Sequence, residues 1–188
     1  MERREVLSIL GATAALPIFS SDLMAFGREV HALLAGETGL RTLDAHQNAT
    51  VTTMAELIIP ATDTPGAKAA RVNEFIDVIL TEWFSDQDKQ RFLEGLADVD
   101  ARCRKTGGKD FVDCDERQQV AFLTVLDAEV TRLRESQRTP QRHFFHMMKR
   151  WTLIGYFTSE IGTPPDQRHF VLDVYRPCAP IDEGPKAL

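Results

Sequence analysis

Cysteine is scarce in this chain: its 188 residues hold three, Cys103, Cys114 and Cys178, too few for a disulfide-meshed scaffold. Neither CxxC nor CxxCH occurs, which excludes covalent c-type haem attachment and the common structural zinc patterns. Iron–sulfur ligation by this chain alone would need about four cysteines and is excluded with them. Glycine and proline are few, 11 and 9, and no segment repeats at a period of tens of residues, so collagen-like, low-complexity and solenoid architectures fall away. Lys/Arg runs never exceed two, and 22 Lys+Arg against 28 Asp+Glu leave a formal charge of −6. That field repels phosphate backbones, and nucleic acid is not an expected partner. There is no GxGxxG, P-loop or GxSxG to anchor nucleotide, phosphate or hydrolase chemistry. What is present is an ordinary globular balance, 43% hydrophobic and 27% charged, in a chain long enough to bury roughly 70% of its unfolded surface without metal or disulfide support.

The amino terminus reads as an address. Arg3 and Arg4, followed by Glu5, Val6 and Leu7, precede a run free of charge from Val6 to Ser21. A bilayer span needs about 20 apolar residues, whereas an export signal uses about 7 to 15. The arginine pair with Leu7 matches a twin-arginine export signal, in which the translocon reads both arginines. Residues 1–27 are therefore expected to be this signal. Ala12-Thr13-Ala14 lies inside the apolar centre, and Leu23-Met24-Ala25 has a bulky residue where a small one is preferred, so a retained segment is as compatible with the sequence as a cleaved one.

The body, residues 28–161, is expected to be all-α: a single irregular bundle of about five helices. Leu43, Gln47, Val51, Met54 and Ile58 recur at three and four, with Thr42 or Asp44 as the start and Pro60 as the stop. After a turn-rich stretch at 60–66, Val72, Phe75, Ile76, Ile79, Leu80 and Trp83 share a face. Ser85 caps a third helix whose stripe is Phe92, Leu93, Leu96, Val99 and Cys103 and whose end is Gly107-Gly108. Asp113 or Cys114 opens a fourth, carried by Val120, Leu123, Leu126, Val130 and Leu133. The fifth, about 140–161, is apolar nearly all round and must either thread the middle of the bundle or lend a side to another protein. Residues 162–188, with Pro164, Pro165, Pro177, Pro180 and Pro185, read as an extended arm.

Chemistry is thin. His143 and His146 lie three apart on the fifth helix beside Met147 and Met148, but no carboxylate stands at ligand spacing, and packing explains such a stripe. Asp113, Asp115 and Glu116 form an acidic helix start that capping explains. No catalytic residue, cofactor-binding residue or metal ligand is assigned to this chain. Three cysteines permit at most one internal bridge among Cys103, Cys114 and Cys178 and leave one thiol over.

Two blocks are more specific. Ile58-Ile59-Pro60-Ala61-Thr62-Asp63-Thr64-Pro65-Gly66-Ala67 with Val72-Asn73-Glu74-Phe75-Ile76-Asp77 is the first. Met148-Lys149 running into Thr152-Leu153-Ile154-Gly155-Tyr156-Phe157-Thr158-Ser159-Glu160-Ile161-Gly162 is the second. In their order and separation, together with the export signal, they resemble the gluconate 2-dehydrogenase subunit 3 family over nearly the whole chain. The resemblance implies a non-catalytic accessory subunit of a periplasmic, membrane-peripheral sugar, polyol or glycoside dehydrogenase complex. In such complexes a large GMC-type flavoprotein carries FAD, with or without an iron–sulfur cluster, and oxidises the substrate. A multihaem c-type cytochrome carrying haem c often passes the electrons on. The small subunit is expected to support maturation of the flavoprotein and its passage through the twin-arginine route. Asp63 in the loop, and Phe144, Phe145, Met148, Trp151, Tyr156 and Phe157 on the fifth helix, are the candidate partner contacts. Two other readings compete: a free-standing exported protein holding a small apolar ligand or lipid between its helices, and an enzyme using the His143/His146 face.

Overall fold

The computed structural model describes residues 21–34, 39–136 and 140–163. Arg3, Arg4, Leu7, Cys178 and the arm beyond Thr163 lie outside them. Among the described residues there are six α-helices and no strand, so the expected all-helical class holds.

The first helix, α1 (Ser21–Leu34), was not foreseen. Leu23, Phe26, Val30 and Leu34 fall at spacings of three and four, the period of one helical face. Val30 and Leu34 are buried, while Leu23 and Phe26 pack against the core from its edge. Residues 21–27, expected to belong to the export segment, are thus the first two turns of a core helix.

Helix α2 (Ala45–Ile58) starts at Asp44, whose carboxylate accepts from Gln47 N while the Gln47 side chain accepts from Asp44 N. This capping box satisfies two otherwise orphaned donors. Helix α3 (Val72–Glu82) is buried at seven of its residues. One of them, Asp77, accepts the backbone N–H groups of Arg41 (2.7 Å), Thr42 (3.0 Å) and Leu43 (2.7 Å), and so fixes the strand of chain that enters α2. Helix α4 (Asp86–Gly107) is capped by Ser85 and closed by Gly108 at φ +70, a left-handed conformation glycine adopts at no steric cost.

Helix α5 (Glu116–Glu135) begins at its Asp115 cap, with a second capping box to Gln118. The expected start at Asp113 or Cys114 is displaced because residues 111–113 form a 3-10 turn. That turn is held by Asp100 Oδ1, which accepts from Phe111 N (3.0 Å), and by Gln119 Nε2, which donates to Phe111 O (2.9 Å). Helix α6 (Phe144–Thr158) is shorter than the apolar run predicts. Pro140–Arg142 is a 3-10 turn, and His143 caps the helix by accepting from Phe145 N.

Of the two fates open to the over-apolar helix, threading the middle is the one realised. Helix α6 packs against all five others, and three glycines let its neighbours come close. A Cβ on Gly95 of α4 would stand 2.3 Å from Phe144 Cγ, one on Gly27 of α1 2.5 Å from Thr158 Cγ2, and one on Gly155 of α6 2.8 Å from Phe75 Cδ1. Buried Phe144, Phe145, Met147, Met148, Ile154 and Tyr156 each contribute roughly 1.5–3 kcal/mol of transfer free energy, which makes α6 the axis of the core.

Candidate functional site

The loop between α2 and α3 is built to stay in one shape while facing outward. Proline 60 cannot extend α2, and Ile59 N–H closes it on Ala55 O. Beneath the loop, the Glu56 carboxylate accepts from Ala61 N at one oxygen (2.9 Å) and from Lys68 N at the other (2.8 Å). Ala67 N–H donates to Ile59 O (2.9 Å) and Thr62 N–H to Thr64 O (3.0 Å). From α6, the Tyr156 hydroxyl donates to Pro65 O (2.8 Å). Gly66 is required here: a Cβ would lie 2.4 Å from Glu56 Oε1 and 2.5 Å from Ala61 N. The loop ends at Arg71, left-handed at φ 54, whose guanidinium pairs with Glu74, an ion pair that raises the arginine pKa further. Asn73 Nδ2 donates to Asn48 Oδ1 and ties α3 to α2 (2.8 Å).

This scaffold presents Thr62, Asp63 and Pro65 at the surface, with Thr62 Oγ1 donating to Asp63 Oδ1 (2.8 Å). Next to it stands the end of α6. The Phe157 ring packs edge-on against Tyr156, centroids 5.4 Å apart, and Ile161 is 40% exposed. The turn beyond is braced by Ser159 Oγ, which donates to Tyr156 O (2.6 Å) and accepts from Gly162 N (3.0 Å). The two blocks singled out in the sequence thus meet at Tyr156 and form one rigid rim, polar on the loop side and apolar on the helix side.

Of the candidate partner contacts, Asp63 is exposed and Phe157 half-buried on this rim, with Tyr156 buried beneath it. Phe144, Phe145 and Met148 are buried in the chain's own core, because α6 runs through the middle, and they present almost no surface. Trp151 is half-buried among Phe26, Phe75 and Phe84. Sequence reasoning missed Glu56, whose role is invisible without knowing that the loop folds back over it.

His143 and His146 do not converge on a shared site. His143 Nδ1 is taken by the cap and its Nε2 lies 3.5 Å from Glu129. Burial pulls the His146 pKa down, and Arg134, Arg150 and Lys149 add to the effect. Arg102 holds the Glu129 carboxyl below its usual range. A separate pair, His46 Nε2 donating to Asp100 Oδ2 (2.7 Å), raises the His46 pKa. Among the described residues no group of three His, Cys, Asp or Glu is placed to hold a metal ion, and no helix is long and apolar enough to cross a membrane. On the far side of α4, Cys103, Cys114, Phe122 and Val125 line an open cleft of about 810 Å3 between α4 and α5.

A small helical domain wound on one buried helix, with an ordered loop held out at its surface, is the class that the fold and rim define. Within that class the chain belongs to the gluconate 2-dehydrogenase subunit 3 family, whose model matches residues 45–168. The match takes in both motif blocks and the helices between them. The family's description is that of one subunit of an oxidoreductase assembled from several. Among curated proteins and among solved structures, nothing matches the chain.

Proposed function

We propose that this chain is the non-catalytic small subunit of a periplasmic FAD-dependent dehydrogenase complex acting on a sugar, polyol or glycoside. Its work is to bind the GMC-type flavoprotein subunit, support its maturation, and lead the pair through the twin-arginine translocon. A multihaem c-type cytochrome completes the electron path in this reading. The observation that carries it is the family match over residues 45–168. The rim supports it physically: a loop already held by Glu56 and Tyr156 loses little conformational entropy on docking, and its mixed surface of Asp63, Pro65, Phe157 and Ile161 suits a protein partner.

The test is a pull-down of the tagged full chain from its native envelope fraction, with mass determination and a visible spectrum. A flavoprotein of about three times this mass is the expected companion, lost when Arg3 and Arg4 are changed to Lys. Asp63→Ala with Phe157→Ala should lower its recovery about tenfold or more with helix content unchanged. Recovery of the chain alone, colourless and folded, overturns the reading. A second reading rests on the cleft between α4 and α5, whose size suits a small apolar ligand; an organic molecule copurifying in place of a protein favours it.

A further inference from the structure

The cleft between α4 and α5 holds two sulfurs that the rim and its proposed partner do not use. Cys103 lies in the last turns of α4 and is buried, while Cys114 follows the 3-10 turn and is half-buried. Both line the same cleft, and the Cys114 sulfur stands close enough to add to burial in raising the Cys103 pKa. Each is presented by its own anchored backbone. Cys103 sits on a helix closed by Gly108 N–H donating to Arg104 O (2.9 Å). Cys114 N–H donates to Phe111 O (3.3 Å), and that turn is fastened to α4 through Asp100 and to α5 through Gln119. The Arg104–Asp110 ion pair braces the connection between them. Two thiols that line one cleft, each on its own anchored backbone, are the pair that a disulfide at this end of α4 would join.

We propose that Cys103 and Cys114 form a thiol–disulfide couple whose oxidation staples the end of α4 to the start of α5. The oxidant is a disulfide, either a small molecule or that of a dithiol oxidase. Cys114, the more accessible sulfur, attacks it as the thiolate: a bond forms from Cys114 to one oxidant sulfur, and the other leaves as a thiolate. Cys103 then gives up its proton to water and attacks Cys114 Sγ, expelling the second thiolate. The two protein thiols lose two electrons and two protons in all, and the oxidant ends as two thiols. Burial, with Cys114 beside it, pushes the Cys103 thiol up to about 11, so little of it is thiolate at neutral pH and a mildly alkaline medium favours closure. Cys178 remains the odd thiol. Under the export route proposed above the pair is reduced while the chain folds and closes after translocation, and this timing alone rests on that reading.

The full chain carrying Cys178→Ser, treated with glutathione disulfide at about pH 8.5 and quenched with N-ethylmaleimide, tests the couple by mass spectrometry and melting. The expected product has lost about two mass units, yields one linked peptide pair containing Cys103 and Cys114, and melts about 5–10 °C higher. Dithiothreitol reverses the gain, and Cys114→Ser abolishes it. Full alkylation of both thiols after oxidation, or glutathione adducts without the linked pair, overturns the proposal. A linked pair that brings no rise in melting temperature overturns the staple. None of these results depends on whether a flavoprotein is found.

Discussion

Replacing Asp77 separates two parts of what its carboxylate does. The side chain is buried on α3, and its two oxygens take three backbone donors from residues 41–43. In Asp77→Ala, Leu43 N–H is left in a buried position without an acceptor, at about 2 kcal/mol. Arg41 and Thr42 sit nearer the surface, where water replaces part of the loss, at about 0.5–1 kcal/mol each. The expected total is about 3–4 kcal/mol. Asp77→Asn keeps one acceptor oxygen, which serves Thr42 and Leu43, and turns an NH2 group toward Arg41 N–H. It loses one hydrogen bond and the charge, about 1–2 kcal/mol. Urea unfolding of the full chain, followed by far-ultraviolet circular dichroism, resolves the two if the slope is unchanged. Asn costing as much as Ala, or both costing under about 1 kcal/mol, would refute the assignment of Asp77 as the clamp on the entry to α2.

Other substitutions test the central helix and its seams. Gly95→Ala gains about 1 kcal/mol of helix propensity but drives a methyl into the Phe144 ring, so a net loss of about 1–2 kcal/mol is expected. Gly107→Ala, where nothing lies within 4 Å of the new atom, should be neutral or slightly stabilising; equal losses at both sites would be evidence against the close α4–α6 seam. Burial lowers the His31 pKa, partly offset by its hydrogen bond to Gly155 O, and burial lowers that of His146. The unfolded chain therefore binds protons before the folded one does, and these groups remove stability as pH falls through about 6.5 toward their folded values. His46, raised by Asp100, works the other way but is largely exposed, and screening keeps it weak. Melting temperature should fall between about pH 7 and 5.5, and less steeply in His31→Gln; an identical slope in the variant contradicts the role given to His31. Tyr156→Phe removes the bond to Pro65 O, at about 1 kcal/mol. It should loosen the loop, read as faster amide exchange at residues 61–67; unchanged exchange would show that Glu56 alone holds the loop.

Helix caps and stripes were legible in the sequence because they are local. Asp44 and Ser85 start α2 and α4, and Gly108 ends α4 through its left-handed backbone. The stripe Phe92, Leu96, Val99 and Cys103 is buried on α4 as its spacing requires. Helix α1 escaped because its apolar face adjoins an uncharged run that matches an export signal, and periodicity does not separate the two uses of the same residues. The start of α5 shifted because Asp100 and Gln119 reach from distant positions to hold Phe111, a tertiary effect with no local mark. For the rim, the sequence named Asp63, Tyr156 and Phe157 but not the hydroxyl that joins two blocks 91 residues apart. The over-apolar α6 announced that it must be covered, and only the packing decides by what.

Among the described helices, the one at the centre of this domain is also the last to be synthesised. At about 5–20 residues per second, the stretch from Leu34 to Phe144 takes roughly 5 to 20 s to make, and for all that time α1 to α5 have no axis to close upon. The core therefore cannot close until α6 has left the ribosome, and it does not assemble progressively behind it. A chain cut or stopped ahead of Phe144 leaves each of α1 to α5 without the central helix it packs against. Phe75 of α3 and Phe92 of α4, fully buried in the folded chain, stay uncovered until α6 arrives.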